Sequence, residues 1–479
     1  MEPITIGEVC KAVKGELAWG DPAGMVTGVY TDSREVGPGN LFVPIIGARV
    51  NAHEFIPEVL KQGAACVIAS ERDYMGETGA GIYVEDTVQA LQDLAAWYRR
   101  RFDIPVVGVT GSVGKTSTKE MIGAVLEKKY NTLITYKNMN SQVGLPLMMF
   151  HLDSSVEMAV FEMGISIPGE MNRLVDIAAP EAAVMTNIGV SHIGNLGSRE
   201  NICAEKGHII REFSDNGKLF ACGNGDLYDM IRKNIPYECC EGHCGTFFYG
   251  IKSEFTGDAG SLTYYADNIR AGENGEIFTF HYPEGEIEVS LSVRGEHNVT
   301  NAMAALAVGL NYGVPIEAAA AAVGAYKPLS MRGEIREVNG IHLIDDTYNA
   351  SPDSIRSNLR ALFSYPDVKR RIAVLGDVLE LGERSEELHR SVGEYIESEA
   401  EKGRRLDALF TVGNESEAIV KYLTENTDIP ATSCKDNFEL ANAVRDAWRP
   451  GDWILFKGSR GMHLDEVVGA LMRTDEEDL

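Results

Sequence analysis

One stretch limits what this chain can fold into more than any other: Ile104–Met121, IPVVGVTGSVGKTSTKEM. Its apolar run, Val106-Val107-Gly108-Val109, reads as a strand buried on both faces, the kind found in parallel sheets. A glycine loop follows, Thr110-Gly111-Ser112-Val113-Gly114, then Lys115-Thr116-Ser117-Thr118 and a helical pattern. Strand, loop and helix in that order make a phosphate cradle. The glycines let backbone N–H groups close around phosphate oxygens, and the helix start adds the positive end of its dipole. Lys115 can reach the terminal phosphates, and the Thr116 hydroxyl can ligate Mg²⁺. The strict P-loop pattern places a glycine with four residues between it and Gly114; Val109 stands there instead. The flanking strand and helix favour phosphate binding over a glycine-rich turn beside a surface lysine.

The length of 479 residues corresponds to about three domains at ~150 residues each. A net charge of −27 argues against a nucleic-acid partner, because phosphate backbones need clustered Lys and Arg. It leaves small anionic ligands open. The final TDEEDL reads as a disordered, solubilising tail. No basic-then-apolar leader and no run of 18 apolar residues is present, so neither a signal peptide nor a membrane partner is expected. Eight cysteines scattered over the chain fit a reducing cytoplasm rather than a disulfide scaffold. Only CCEGHC, Cys239–Cys244 with His243, clusters soft ligands. Ligands this close together rarely reach tetrahedral geometry unaided, so a surface loop is favoured over a Zn²⁺ site.

Residues 1 to about 85 read as a small α/β unit, with Thr5 capping a short helix and β-rich runs separated by Gly/Pro turns. Within it, Thr31-Asp32-Ser33-Arg34 lies at a strand end. A Ser hydroxyl beside an Arg suits a phosphate or a nucleobase edge, and equally a capped turn. Thr87–Phe102 is an amphipathic helix leading into the nucleotide unit. VEMAVFEMG ends a buried strand at Glu162, and AAVMTNIG ends another at Thr186-Asn187, running on to His192. Doubly wound sheets bind ligands at such carboxyl ends, so Glu162 and His192 could approach one metal ion beside the loop. Lys206 lies in a Ser198-capped helix and, on sequence alone, reads as solvated. Tyr237–Glu288 reads as a β meander. GEHNVTNA opens a helix with Asn298 and Asn301 on one face. From about Leu329 a second doubly wound pattern begins; HLIDDTYNASPDS ends a strand at Asp345-Asp346, and KGSRGM, Lys457–Met462, is a plausible anion loop. His389 reads as a surface or packing residue.

The ordered set TGSVGKTST, FEMG, TNIGVSH, the Lys206 helix, GEHNVTNA, the arginine of LSMRGE and DDTYNASPDS resembles the Mur ligases. These are the ATP-dependent amide-forming enzymes of peptidoglycan precursor synthesis, and the resemblance covers essentially the whole chain. Val109 in place of glycine is usual in that family. The resemblance implies an α/β protein of three domains: 1–86, a small α/β UDP-substrate-binding domain; 87–328, a central P-loop doubly wound ATP-binding domain; 329–479, a C-terminal Rossmann-like domain. TDSREVGPGNLFVPIIG, YNASP and VLGDVLELGERSEELH point, within the family, to a ligase that joins D-alanyl-D-alanine to UDP-N-acetylmuramoyl-tripeptide.

The resemblance also implies roles. Thr110, Gly111, Ser112, Val113, Gly114, Lys115 and Thr116 surround the ATP phosphates. Thr116 and Glu162 hold one Mg²⁺, and His192 helps hold a second. Lys206 matches a lysine that carries a metal-binding carbamate in related ligases. Asn298 and Asn301 face the adenine, Arg332 reaches the phosphates, and Asp346 bonds the ribose, with Tyr348 and Asn349 nearby on the substrate side. Ser33 and Arg34 lie in the UDP site. Lys115, Glu162, His192, Lys206 and Arg332 form the catalytic set. Arg49-Val50-Asn51-Ala52-His53 departs from the aspartate-glycine-histidine expected there. The implied reaction forms an acyl phosphate that the dipeptide amine attacks, in a closed monomer. Three other readings remain open. They are a different Mur ligase taking a single amino acid, a folylpolyglutamate synthase-like enzyme, which lacks a counterpart of the first domain, and a non-catalytic nucleotide-binding scaffold.

Overall fold

The computed structural model describes residues 1–74, 79–236, 244–258 and 260–473. The CCEGHC segment through His243 and the TDEEDL tail lie outside them, so the zinc and tail readings are not addressed by the fold. Three main sheets follow one another along the chain, giving the three-domain α/β organisation expected from the sequence.

The N-terminal sheet has five strands, ordered Glu16–Trp19, Gly81–Tyr83, Cys66–Ala69, Asn40–Phe42 and Gly28–Tyr30; all pairs are parallel except the first. Thr5 caps the first helix, Ile6–Ala12, in a reciprocal capping box with Glu8. The helix Thr87–Arg99 starts at Asp86, whose carboxylate accepts from the Val88 and Gln89 amides at 2.7 and 3.0 Å. It buries Leu91, Leu94, Ala95 and Tyr98, the face expected from its periodicity. At its end Arg99 is buried and donates to the carbonyls of Ala178, Phe102 and Ile104. Burial holds its pKa down at about 10. Three satisfied carbonyls make this helix a strut against the central sheet rather than a loose linker.

The central sheet has nine strands. Val106–Thr110 sits between Met158–Glu162 and Ala182–Met185, parallel to both. The expected meander over Tyr237–Glu288 is corrected in part. Antiparallel pairing is confined to Leu262–Ala271, Glu276–Tyr282 and Gly285–Ser290, whereas Gly245–Ile251 pairs parallel with Lys218–Cys222 and with Leu262–Ala271. The physical reason is burial: Phe248, Tyr249 and Ile251 are all enclosed, and a strand covered on both faces extends the parallel core rather than a half-solvated ribbon.

The C-terminal sheet runs Glu334–Val338, Ile341–Asp345, Asp452–Lys457, Arg370–Gly376, Ala408–Val412, Ala431–Cys434, with only the first pair antiparallel. The last strand in the chain is inserted between two earlier ones, so the strand order reverses there and opens a crevice at the carboxyl ends. Those ends face the carboxyl ends of the central sheet. Arg360 bridges the two domains, reaching Glu254 at 3.4 Å and Glu296 at 3.2 Å.

Candidate active site

A cavity of about 710 Å³ lies between these two domains, lined from one side by the glycine loop and from the other by residues following Asp345. The loop's geometry explains its departure from the strict pattern. Val109 is inside the strand, fully buried and paired with Glu162 and Val184, so the turn begins later, at Gly111. There φ is +148°, and a Cβ would lie 1.9 Å from Thr186 Oγ1; no side chain fits. Helix Lys115–Leu126 follows the loop.

The strand Ala182–Met185 delivers Thr186 and Asn187 against the loop. Asn187 Oδ1 accepts from the Ser112 and Val113 amides at 3.1 and 2.7 Å, and Thr186 Oγ1 donates to the Val113 carbonyl at 2.6 Å. Lys115 Nζ donates to the Gly111 carbonyl at 2.9 Å. Burial pushes its pKa below the ordinary lysine range; Glu162 opposes that effect and Arg332 adds to it. Thr110 is one step back, its hydroxyl donating to the Met163 carbonyl at 3.0 Å.

Glu162 ends its strand almost wholly buried. One carboxylate oxygen accepts from Thr116 Oγ1 at 2.8 Å and the other from Asn140 Nδ2 at 2.6 Å. Among the described residues no cation pairs with it. The sequence reading missed Asn140 and Asn187. Asn187 sat in plain view beside Thr186; Asn140 follows the edge strand Thr132–Ile134, next to the strand of Glu162, and its loop, KNMNSQ, carries two amides within three residues.

Lys206 is not solvated, which corrects the sequence reading. It is 1% exposed, because the last turn of helix Arg199–Gly207 faces the protein interior. Burial and the nearby Lys115 charge push its pKa well below the usual lysine range. No carboxylate among the described residues comes within ion-pair distance. His192 caps the short helix Ile193–Leu196 with φ +61° and lines the cavity. Burial lowers its pKa; Glu380 opposes the shift, and Lys115 and Lys206 add to it.

Asn298 and Asn301 both line the cavity at the start of helix Glu296–Asn311. Asn301 Oδ1 accepts from Thr118 Oγ1 at 3.0 Å, tying this helix to the loop helix, while Asn298 donates to the Arg294 carbonyl at 2.8 Å. Beside them His297 stands half-buried at the cavity wall, where desolvation holds its pKa down at about 4, so the ring is neutral near pH 7. From the C-terminal side Arg332 stacks on Tyr348 at 3.9 Å. Asp346 accepts from Lys457 Nζ at 2.6 Å and from Asn358 Nδ2, and Lys457 also donates to the Asn349 carbonyl at 3.0 Å. The KGSRGM loop therefore spends its lysine on Asp346, and its Arg460 on Asp465 at 2.8 Å.

Ser33 and Arg34 are not part of this cavity. They follow the strand Gly28–Tyr30 in the N-terminal sheet, where Asp32 accepts from the Arg34 amide at 3.0 Å and pairs with its guanidinium. Those hydrogen bonds hold the Asp32 carboxyl at about 2. This is the capped turn that the sequence also allowed. In the departing RVNAH stretch, His53 is buried, with Nδ1 2.8 Å from Asn51 Oδ1 and Nε2 accepting from the Ser70 amide at 3.1 Å. His389 is a packing residue, its Nε2 accepting from the Val378 amide at 2.9 Å.

Divalent magnesium takes one or two carboxylates, hydroxyls, waters and substrate phosphates rather than an all-protein cage. Thr116 and Glu162, with the carboxylate facing only neutral donors, fit that donor set. No group of three or more His, Cys, Asp or Glu able to hold a metal occurs among the described residues.

Sequence comparison matches residues 25–99, 109–309 and 331–460 to the Mur ligase family catalytic domain, the Mur ligase middle domain and the Mur ligase glutamate ligase domain. The UDP-N-acetylmuramoyl-tripeptide–D-alanyl-D-alanine ligase of Bacillus subtilis is 36% identical, with 98% of each chain covered. Among solved structures, MurF from Acinetobacter baumannii superposes with a TM-score of 0.87 at 30% identity, covering 99% of this chain and 100% of that one. The MurF ligase of Thermotoga maritima in complex with ADP gives 0.80 at 29%, covering 95% and 99%. In sequence, fold and the order of its site residues, the chain belongs to the Mur ligase family.

Proposed function

We propose that this protein is an ATP-dependent ligase joining D-alanyl-D-alanine to UDP-N-acetylmuramoyl-tripeptide in cytoplasmic peptidoglycan precursor synthesis. One observation supports this most: Lys115, the Thr116–Glu162 pair and His192 share a cavity with Arg332 and Asp346 of a second domain. The relatives named for this reaction align over nearly the whole chain. All these groups come from one chain, which agrees with a working monomer. The described residues include no helix long and apolar enough to cross a membrane.

The chemistry follows from charge. A carboxylate and a triphosphate repel, so bringing them together needs cations and excluded water. Lys115 and Arg332 supply fixed positive charge at the γ-phosphate, one from each wall. Asp346 bonds the ribose, and Asn298 and Asn301 flank the base. Thr116 and Glu162, with His192, would hold Mg²⁺, which when bound offsets phosphate charge. The tripeptide carboxylate attacks the γ-phosphorus and ADP leaves. The dipeptide amine then attacks the acyl carbon, phosphate leaves, and the amine loses a proton. The C-terminal domain covers the cavity and protects the acyl phosphate from water. Burial pushes the Lys206 pKa well below the ordinary lysine range, which favours the free amine that carbamate formation with CO₂ requires. Ser33 and Arg34 belong to the UDP end of the substrate.

The test is a phosphate-release assay across acceptors. Release should require UDP-N-acetylmuramoyl-tripeptide together with D-alanyl-D-alanine. Release with single amino acids but not with the dipeptide would assign the chain to a different Mur ligase reaction. Loss of activity in Lys206→Ala that short carboxylic acids restore is the result expected of a carbamate; no restoration would count against it.

A further inference from the structure

The central-domain stretch 189–194 is held from two sides by the C-terminal domain. The Val190 amide donates to Asp353 Oδ2 at 3.1 Å, and the Gly194 amide donates to the Glu380 carbonyl at 3.2 Å. The backbones pass so closely that a Cβ on Gly194 would lie 2.8 Å from the Gly382 nitrogen and 2.9 Å from the Glu380 carbonyl oxygen. Between these two contacts His192 Nδ1 bonds the Glu380 carboxylate. Both residues hold left-handed backbone, at φ +61° and +64°. Non-glycine residues rarely adopt it, and such strain persists where surrounding structure and function over-determine it.

A carboxylate only accepts, so Nδ1 carries a hydrogen, and in the neutral ring Nε2 keeps its lone pair. The other groups bearing on the ring are Lys115 and Lys206; among the described residues, the Nδ1 hydrogen bond goes to Glu380. Carboxylates behind imidazoles commonly fix ring orientation and basicity. Here the carboxylate comes from a different domain. We propose that Glu380 is a positioning residue that couples docking of the C-terminal domain to the setting of His192: closure fixes the Nδ1–H tautomer and leaves Nε2 as the ligand atom in the cavity. This rests on the reading of His192 as a ligand in the proposed reaction.

Side-chain ¹⁵N shifts of His192, read in the full-length protein with a non-hydrolysable ATP analogue, report the tautomer directly. The spectrum of His192→Gln identifies the signals, and small-angle scattering of the same samples reads closure. The wild-type ring is expected as Nδ1–H. Glu380→Ala should give mixed tautomers and a kcat about 10- to 100-fold lower, with KM for ATP unchanged. Glu380→Gln, whose carbonyl still accepts, should recover part of kcat. Gly194→Val, which blocks the backbone approach without changing any side chain in the cavity, should give expanded scattering and the same tautomer mixture. An Nε2–H ring in the wild type, or an unchanged ring and kcat in Glu380→Ala, would overturn the proposal. A fully active His192→Ala would instead remove the ligand role of His192, and with it the catalytic half of the proposal, while the tautomer and docking results stood.

Discussion

The two walls of the cavity are built differently. The central wall is one cooperative unit: three parallel strands set the glycine loop, Glu162 and Thr186-Asn187 side by side, and nearly every polar group is bonded within that wall. Asn187 and Thr186 brace the loop, Thr116 and Asn140 hold Glu162, and Lys115 folds back on Gly111. The C-terminal wall also has internal order, with Asp346 held by Lys457 and Arg332 laid on Tyr348. Its polar attachment to the central wall, however, rests on a few bridges: Asp353 to Val190, Glu380 to the 192–194 segment, and Arg360 to two glutamates. Phosphate chemistry thus sits on a platform braced within one domain, while the part that covers it is joined to that platform by few polar bonds.

That contrast orders the effects of mutation. Lys115→Ala should abolish ligation, by roughly 10³-fold or more in kcat as for other lost phosphoryl charge stabilisers, with little change in melting temperature; substrate-dependent ADP release reads it. Gly111→Ala should come next. Its Cβ meets Thr186 at 1.9 Å, so the loop must shift, at a cost of about 1–3 kcal/mol, and nucleotide binding measured by calorimetry should fall sharply. On the other wall, Lys457→Met leaves Asp346 with the Asn358 amide alone. KM for ATP should rise, and stability should drop by an amount approaching about 3 kcal/mol, as for a buried pair that loses one partner. Arg360→Ala breaks only half-exposed bridges and should cost at most ~1 kcal/mol; chemical denaturation would show it. An effect larger than that of Lys457→Met would contradict the ranking of the interdomain bridges below the bonds within the C-terminal wall.

His297 supplies a pH test of the cavity wall. Its pKa of about 4 in the fold lies below the ordinary value of 6.5, so the unfolded chain binds a proton that the folded chain refuses. Stability is therefore present above pH 6.5 and lost as pH falls toward 4. Melting curves between pH 7 and 5 should slope less steeply in His297→Gln than in the wild type.

Much of this arrangement was legible in the sequence because the chemistry sits at strand ends. Apolar runs that stop at Thr110, Glu162, Met185 and Asp345 announce parallel strands, and the doubly wound rule puts their polar successors in one crevice. The cavity brings together the loop, Glu162, His192, Asn298, Asn301, Arg332 and Asp346, which the sequence had flagged separately. What the sequence hid were matters of packing. Nothing in the pattern of the Ser198-capped helix says that its last turn, with Lys206, faces inward. The parallel pairing of Gly245–Ile251 depends on which faces are covered, not on composition. Glu380 lies in a loop of a different domain from His192, and only the docked structure joins them. The capped turn in which Asp32 holds Arg34 was one of the structures the spacing allowed.

The central claim is that the platform activates a carboxylate by phosphorylating it. Supplying the tripeptide substrate with ¹⁸O in its terminal carboxylate, and weighing the phosphate released on ligation, tests this directly. Transfer of one ¹⁸O to each phosphate is the expected result. Phosphate free of the label would contradict the account.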